Sequence, residues 1–196
     1  MTTLFQHNLQ QHLELFSRLS VLDDSVMGAA QAIADCLRAG GKLMICGNGG
    51  SAADSQHIAA EFTGRFIKDR KPLAAMALST DSSALTCIGN DYSFAEIFSR
   101  QVAGLGRPGD CLLGISTSGN SANVIRAVEV ARGMGMRTIG LLGRDGGKLA
   151  TLCDCAIVVP AEVTARIQEA HILIGHSICG AVEQSLGLVP QHGEAE

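Results

Sequence analysis

Two loops and one histidine–glutamate spacing carry the chemistry that this sequence offers. Gly47-Asn48-Gly49-Gly50-Ser51 follows the apolar run Lys42-Leu43-Met44-Ile45-Cys46 and leads into a helical pattern. Glycines let a backbone turn sharply and approach a ligand. The helix that follows offers free N–H groups and a positive dipole end to an anion. The loop lacks the full dinucleotide fingerprint and the lysine of a P-loop; its alternative reading is a plain strand-to-helix turn. The second loop, Ser116-Thr117-Ser118-Gly119-Asn120-Ser121, sets four hydroxyls between an apolar strand pattern and a helix. Hydroxyls and helix N–H groups together can wrap a phosphate without a lysine. An N-cap cluster is the alternative, but a cap uses one hydroxyl and leaves the others unexplained, so this segment reads as phosphate-binding.

His57 and Glu61 lie four apart and share one face of the helix after the first loop, with Arg65 a further turn along. Such a pair suits metal binding or proton transfer, and equally a solvated surface pair; the spacing leaves all three open. The last helical segment carries Arg166, Gln168, Glu169, His171 and His176, and Leu173, Ile174 and Ile178 give His176 the surroundings of a core or interface residue. Eight residues of helix between Gln168 and His176 span about 12 Å. That is awkward for one small site built from one chain, and it points to sites formed between subunits.

These residues need a scaffold that presents loop ends. Apolar runs alternate with helical patterns along the chain. Residues 4–22 place Phe5, Leu9, Leu13 and Phe16 at helical spacing, an amphipathic face that must pack on something. A second helix, opened by Asp24-Ser25, runs to Arg38 and is ended by Gly40-Gly41. Strands are expected at 42–46, 74–78, 111–115, 137–142 and 155–159, and helices at 52–66, 82–88, 93–105, 122–134 and 161–186. Continuously apolar strands alternating with helices imply a parallel sheet covered on both faces. The expectation is an α/β protein: a three-layer α/β/α sandwich with a five-stranded parallel sheet, flanked by N-terminal helices and a long C-terminal helix. One domain over 1–196 is expected, with a helical arm over about 1–39 and a flexible tail over about 187–196. In an open parallel sheet, ligands sit beyond the carboxyl ends of the strands, where both loops fall.

Composition removes several classes. A chain that is 46% apolar but only 4% aromatic builds its core from Leu, Ile, Val, Ala and Met. A net charge of −4 argues against a non-specific nucleic-acid binder. Neither a signal peptide nor an apolar segment long enough to span a bilayer is present in the sequence, so a cytoplasmic location without membrane partners is expected. The seven cysteines are odd in number, scattered and free of C-x-x-C, which reads as buried thiols rather than a disulfide framework, metal site or redox pair. Cys153-Asp154-Cys155 is the closest pair and marks the entry to a strand.

Taken in order, Cys46-Gly47-Asn48-Gly49-Gly50-Ser51, His57 with Glu61-Phe62-Thr63-Gly64-Arg65, Gly89-Asn90-Asp91, the segment from Gly114 through Ser116-Thr117-Ser118-Gly119-Asn120-Ser121 to Ile125, Gly143-Arg144-Asp145-Gly146-Gly147 and Arg166-Ile167-Gln168-Glu169 resemble the bacterial phosphoheptose isomerases of the sugar isomerase (SIS) fold. The resemblance covers nearly the whole chain. It implies conversion of sedoheptulose 7-phosphate to D-glycero-D-manno-heptose 7-phosphate, feeding ADP- or GDP-heptose for surface polysaccharide such as the lipopolysaccharide core. It implies that Ser51, Ser116, Thr117, Ser118 and Ser121 hold the phosphate and neighbouring hydroxyls. Asn48, Gly49, Gly50, Glu61, Arg65, Asn90, Asp91 and Gln168 are implied as further substrate contacts. Glu61 and His176 match the catalytic acid/base pair, and His57, Glu61, Gln168 and His176 match a divalent metal site, one zinc per site. A homotetramer with sites at subunit interfaces is the family's assembly. The residue types suit the reaction: a carboxylate moves a proton between adjacent carbons through an enediolate while a histidine shuttles protons between oxygens. A zinc-bound Glu61 would be a weaker base, a conflict internal to the resemblance. Related SIS proteins include one that binds the replication initiator protein but lacks counterparts of Glu61 and His176, and regulators that add a DNA-binding domain for which this chain has no room.

Overall fold

Each of five short apolar runs forms a strand because its residues can be buried on both faces of a sheet, as β1 (Leu43–Gly47) and β3 (Cys111–Ser116) are throughout. The computed structural model describes residues 2–190. Its elements are α1 (Leu4–Phe16), α2 (Asp23–Arg38), β1, α3 (Gly50–Thr63), β2 (Ala75–Ala77), α4 (Ser82–Asp91), α5 (Ser99–Leu105), β3, α6 (Ala122–Gly133), β4 (Arg137–Gly143), α7 (Leu149–Leu152), β5 (Cys155–Val159) and α8 (Thr164–Ser185). The strands form one parallel sheet in the order β2-β1-β3-β4-β5, as the alternation of patterns implies.

Alternate strand residues feed opposite cores. Leu43 and Ile45 of β1 pack with α2, α3 and α8, whereas Met44 and Cys46 pack with α5 and α6. The three-layer expectation is therefore met. β1 lies between β2 and β3, so strand order reverses there. The chain leaves β1 into α3 on one face and leaves β3 into α6 on the other. The two loops diverge and open a crevice at the carboxyl ends of β1 and β3, the ligand position of this sheet type.

α3 and α8 run in the same direction and in close contact. A Cβ at Gly50 would stand 2.3 Å from Gln168 Nε2, and a Cβ at Gly175 would stand 2.6 Å from Ile58 Cδ1. Glycine at 175 lets the helices approach at the level of His57 and His176.

Several boundaries differ from the sequence expectation. The first helix stops at Phe16, and a 3₁₀ turn at Leu19–Leu22 joins it to α2. The segment 93–105 divides into a 3₁₀ turn at Phe94–Glu96 and α5; Ser99 Oγ hydrogen-bonds back to Glu96 at this break. α7 is a four-residue helix that no periodicity announces. The apolar stripe of α1 is packed at its Phe16 end, against the core and the His12 ring, whereas Phe5, Leu9 and Leu13 are 73%, 45% and 60% exposed. α1 is held on its other side by buried Leu15, by His12 Nδ1 at 2.9 Å from Glu169 Oε2, and by Arg166 donating to the Asn8 carbonyl at 2.8 Å. The expected tail is partly docked. Gly187 (φ +69°) turns the chain, Leu188 N–H returns to the Glu183 carbonyl, and Val189 is buried. Residues 191–196 lie outside the described residues.

His171 ties α8 to the sheet. It is fully buried, its Nε2 donates to the Leu142 carbonyl of β4 at 3.0 Å, and its Nδ1 has no partner. Burial pushes its pKa down to about 4. Between that value and about 6.5 the unfolded chain binds the extra proton. The contribution is thus fully present above about pH 6.5 and lost as pH falls toward 4, a change of about 3 kcal/mol. Denaturant unfolding of wild type and His171→Gln across pH 4–7 is expected to show a shallower acid slope in the variant.

Candidate active site

The crevice between β1 and β3 is lined by the ends of two helices that begin without side-chain caps. α3 starts behind Gly49 (φ +56°, ψ −121°), which offers no side chain, and α6 starts behind Ser121, whose hydroxyl makes no cap hydrogen bond. Ser121 Oγ instead lies 2.9 Å from Ser116 Oγ, with Ser118 Oγ 3.5 Å from Ser116. The N-cap alternative for this serine cluster is therefore not realised. The Ser116 and Ser121 hydroxyls pair with each other and leave the first N–H groups of α6 to an outside acceptor, an arrangement that suits an anion; at α3 the Ser51 and Ala52 N–H groups already bond the Asn48 and Gly49 carbonyls. Ser51 and Ser116 are buried at the base of the two loops, and Thr117 and Ser118 are half-buried.

Both loops are braced from behind. The Asn48 and Asn123 amides face each other across the crevice: Asn48 Nδ2 donates to Asn123 Oδ1 at 2.9 Å, and Asn123 Nδ2 donates to Asn48 Oδ1 at 2.8 Å. The second loop also leans on the turn after β4. Gly119 (φ +64°) is so close to that turn that a Cβ would stand 1.9 Å from the Gly146 carbonyl oxygen. Leu149 N–H donates to the Gly119 carbonyl at 3.1 Å, and Lys148 N–H donates to Asn120 Oδ1 at 3.1 Å.

Two turns along α3, His57 Nε2 lies 3.1 Å from Glu61 Oε1 and 3.2 Å from His176 Nε2 of α8. Ligand atoms of the three residues lie within 4.8 Å of one another, so they could share one cation. The His176 ring stacks on Phe66 at 5.4 Å between centroids. His176 thus stands between a polar cluster on one side and the apolar Phe66 ring on the other. Asp54, one turn before His57, has a buried Oδ2 without a hydrogen-bond partner, and burial raises its pKa despite the nearby His57.

Glu183, fully buried on α8, anchors the segment behind this cluster. It accepts from Arg70 Nε at 2.6 Å and from the backbone N–H groups of Phe66 and Ile67 at 3.2 Å each. The Arg70 guanidinium also donates to the carbonyls of Glu61 (2.7 Å) and Phe62 (2.8 Å). One ion pair thus fixes both the end of α3 that carries Glu61 and the turn that carries Phe66.

Other expected site residues stand apart from this cluster. Gln168 packs beside Gly50, at the opposite end of the α3–α8 contact from His176. Arg65 is exposed just after Gly64, the C-terminal cap of α3. Asn90 and Asp91 are exposed at the end of α4 and bond to each other, Nδ2 to Oδ1 at 2.8 Å. All seven cysteines are free thiols; Cys36, Cys46, Cys111 and Cys179 are buried, and Cys87 is exposed. Burial pushes Cys153 and Cys179 up to about 12. Sequence reading passed over Asn123, Phe66, Arg70 and Glu183, whose partners lie up to 117 residues away.

Comparison with known proteins places the chain in one family. The SIS domain family model matches residues 6–143. A phosphoheptose isomerase of Rhodospirillum rubrum is 54% identical over 177 residues, covering 90% of this chain and 94% of that protein. The structure of phosphoheptose isomerase from Neisseria gonorrhoeae superposes with a TM-score of 0.87 at 49% identity, covering 91% of this chain and 96% of that one. A phosphoheptose isomerase from Francisella tularensis gives 0.89 at 38% identity, covering 94% and 100%.

The Arg70 and Glu183 side chains are 3% and 0% exposed, so removing one strands the other. Arg70→Ala is expected to lose about 3–5 kcal/mol of stability, read as a lower midpoint in denaturant unfolding. Glu183→Gln, which keeps an acceptor oxygen, is expected to lose less.

Proposed function

The chain belongs to the SIS domain family and to its phosphoheptose isomerases, and from that premise we propose that it interconverts sedoheptulose 7-phosphate and D-glycero-D-manno-heptose 7-phosphate. The observation that carries this reading is the contact of His57, Glu61 and His176 on two parallel helices, one of which begins at the anion-binding crevice.

In this reading the phosphate ester sits in the crevice, held by Ser51, Ser116, Thr117, Ser118 and Ser121 and by the N-terminal N–H groups of α6, with the positive end of α3 facing it. Asn48, Gly49, Gly50, Arg65, Asn90, Asp91 and Gln168 contact the sugar. Glu61 takes the proton from the carbon beside the carbonyl and returns it to the adjacent carbon. His176 moves the proton between the two oxygens of the enediolate. Positioned acid/base groups of this kind contribute about 10²–10⁴-fold each. His57, between Glu61 and His176, orients both.

Two imidazoles and a carboxylate are a donor set that suits zinc, and the clustering of their ligand atoms fits one such ion. When bound, it supplies a Lewis acid for a carbonyl oxygen. Gln168, at the other end of the helix pair, is proposed to serve the site of a neighbouring subunit. A homotetramer with interfacial sites is supported by two features. One is the open stripe of Leu4, Phe5, Leu9 and Leu13; the other is a cavity of about 550 Å³ whose lining includes Met27, Phe66, Ile67 and His176. We take 1–196 as one SIS domain acting in the cytoplasm, with its product feeding heptose synthesis for surface polysaccharide. The contact between Glu61 and His57 and His176 disfavours the alternative of a replication-initiator-binding protein, which has no use for a proton-transfer pair.

Purified protein incubated with sedoheptulose 7-phosphate is expected to form the aldose by NMR, and Glu61→Gln and His176→Ala are each expected to lose at least about 100-fold in rate. A folded oligomer that turns nothing over, with or without added zinc, overturns the reading.

Mixing inactive Glu61→Gln with inactive Gln168→Ala is expected to restore part of the activity by assembling wild-type sites between subunits. A fully active monomer overturns the interfacial site.

A further inference from the structure

The Asn48 side chain is already engaged. Its amide donates one hydrogen bond to Asn123 and accepts another from it, and Asn123 is only 2% exposed. The pair joins the loop after β1 to the first turn of α6, across the crevice where strand order reverses. These loops lead into helices on opposite faces of the sheet, and the β1–β3 ladder behind them pairs the strands they leave. A phosphate must meet Ser51 and the α3 N-terminus on one side and the serines and the α6 N-terminus on the other. A change in the gap would take one set out of hydrogen-bond reach, since such bonds weaken steeply with distance and angle.

We propose that Asn123 is a positioning residue that acts through Asn48, clasping the two loops at the separation one phosphate ester needs. The inference rests on the phosphosugar reading of the crevice. Two amides suit the task because each offers a donor and an acceptor to the other without a net charge. A lysine–carboxylate pair here would place a carboxylate beside the anion.

The test compares wild type, Asn123→Ala, Asn48→Ala and the double variant, with binding of sedoheptulose 7-phosphate and of inorganic phosphate measured by calorimetry, and kcat and KM measured by NMR. Loss of two hydrogen bonds is expected to weaken binding of both ligands roughly tenfold or more in Asn123→Ala. KM should rise in step and kcat should stay within about threefold, because Glu61 and His176 are untouched. In the Asn48→Ala background the second substitution is expected to cost nothing further. Asn123→Ser, which keeps a small polar group, replaces Asn123→Ala where the alanine variant does not fold.

Wild-type affinity in a folded Asn123 variant overturns the proposal. So does a fall in kcat at unchanged KM, or an undiminished penalty in the Asn48→Ala background. A wild type that binds phosphosugar without turnover removes the isomerase reading, while the clasp is still decided on binding. A wild type that binds neither ligand overturns both.

Discussion

Strand order reverses once in the sheet, between β1 and β3, and the placement of the crevice follows from that reversal. Neighbouring strands whose following helices leave to opposite faces cannot keep their loops side by side. The gap brings the first turns of α3 and α6 together, so that two positive helix ends address the same volume. Natural helices usually cover such turns with a side chain; here glycine stands at one start and a serine turned toward Ser116 at the other. At α3 the Ser51 and Ala52 N–H groups bond back to the Asn48 and Gly49 carbonyls; at α6 the local stability that a side-chain cap would supply is absent where an anion can supply it instead.

The second requirement is that α3 and α8 stay parallel and close enough for His57 and His176 to touch. Glycines 50 and 175 remove the side chains that would hold them apart. The buried Arg70–Glu183 pair closes the far end. Isolated buried ion pairs often add little net stability because desolvation offsets their attraction. This one is completed by backbone N–H groups on the carboxylate and by carbonyls on the guanidinium, which satisfies the remaining donors and acceptors and fixes a segment that has no helix or strand of its own.

The strands were the most legible part of the sequence, since a doubly buried strand writes itself as an unbroken apolar run, as β1 and β3 do; even the half-buried edge strand β5 begins and ends where the apolar run from Cys155 to Val159 does. Helix limits were less legible. A 3₁₀ turn and an α-helix share similar periodicity, which is why residues 4–22 and 93–105 read as single helices. The stripe of Phe5, Leu9 and Leu13 was visible, but not that its own chain leaves it open. For the candidate site, the loops and the His57–Glu61 spacing were readable because they are local. The approach of His176, the amide pair of Asn48 and Asn123 and the pairing of Arg70 with Glu183 were not, because each joins residues 75 to 119 positions apart and no periodicity encodes such a distance. Gln168 beside Gly50 shows the same limit, since the direction of α8 relative to α3 decides it.

The turns after β1, β3 and β4 are tied to one another by Asn48 and Asn123, by Asn120 and Lys148, and by the close approach of Gly119 to Gly146. Such a corner has little conformational freedom left to surrender. Its share of the entropy of association should be small, and the ordering cost should fall on the open-chain sugar, whose rotatable bonds are frozen as it reaches from the phosphate toward the reacting carbons. A ligand already held in that shape would therefore bind more tightly than the flexible one without making a single additional contact.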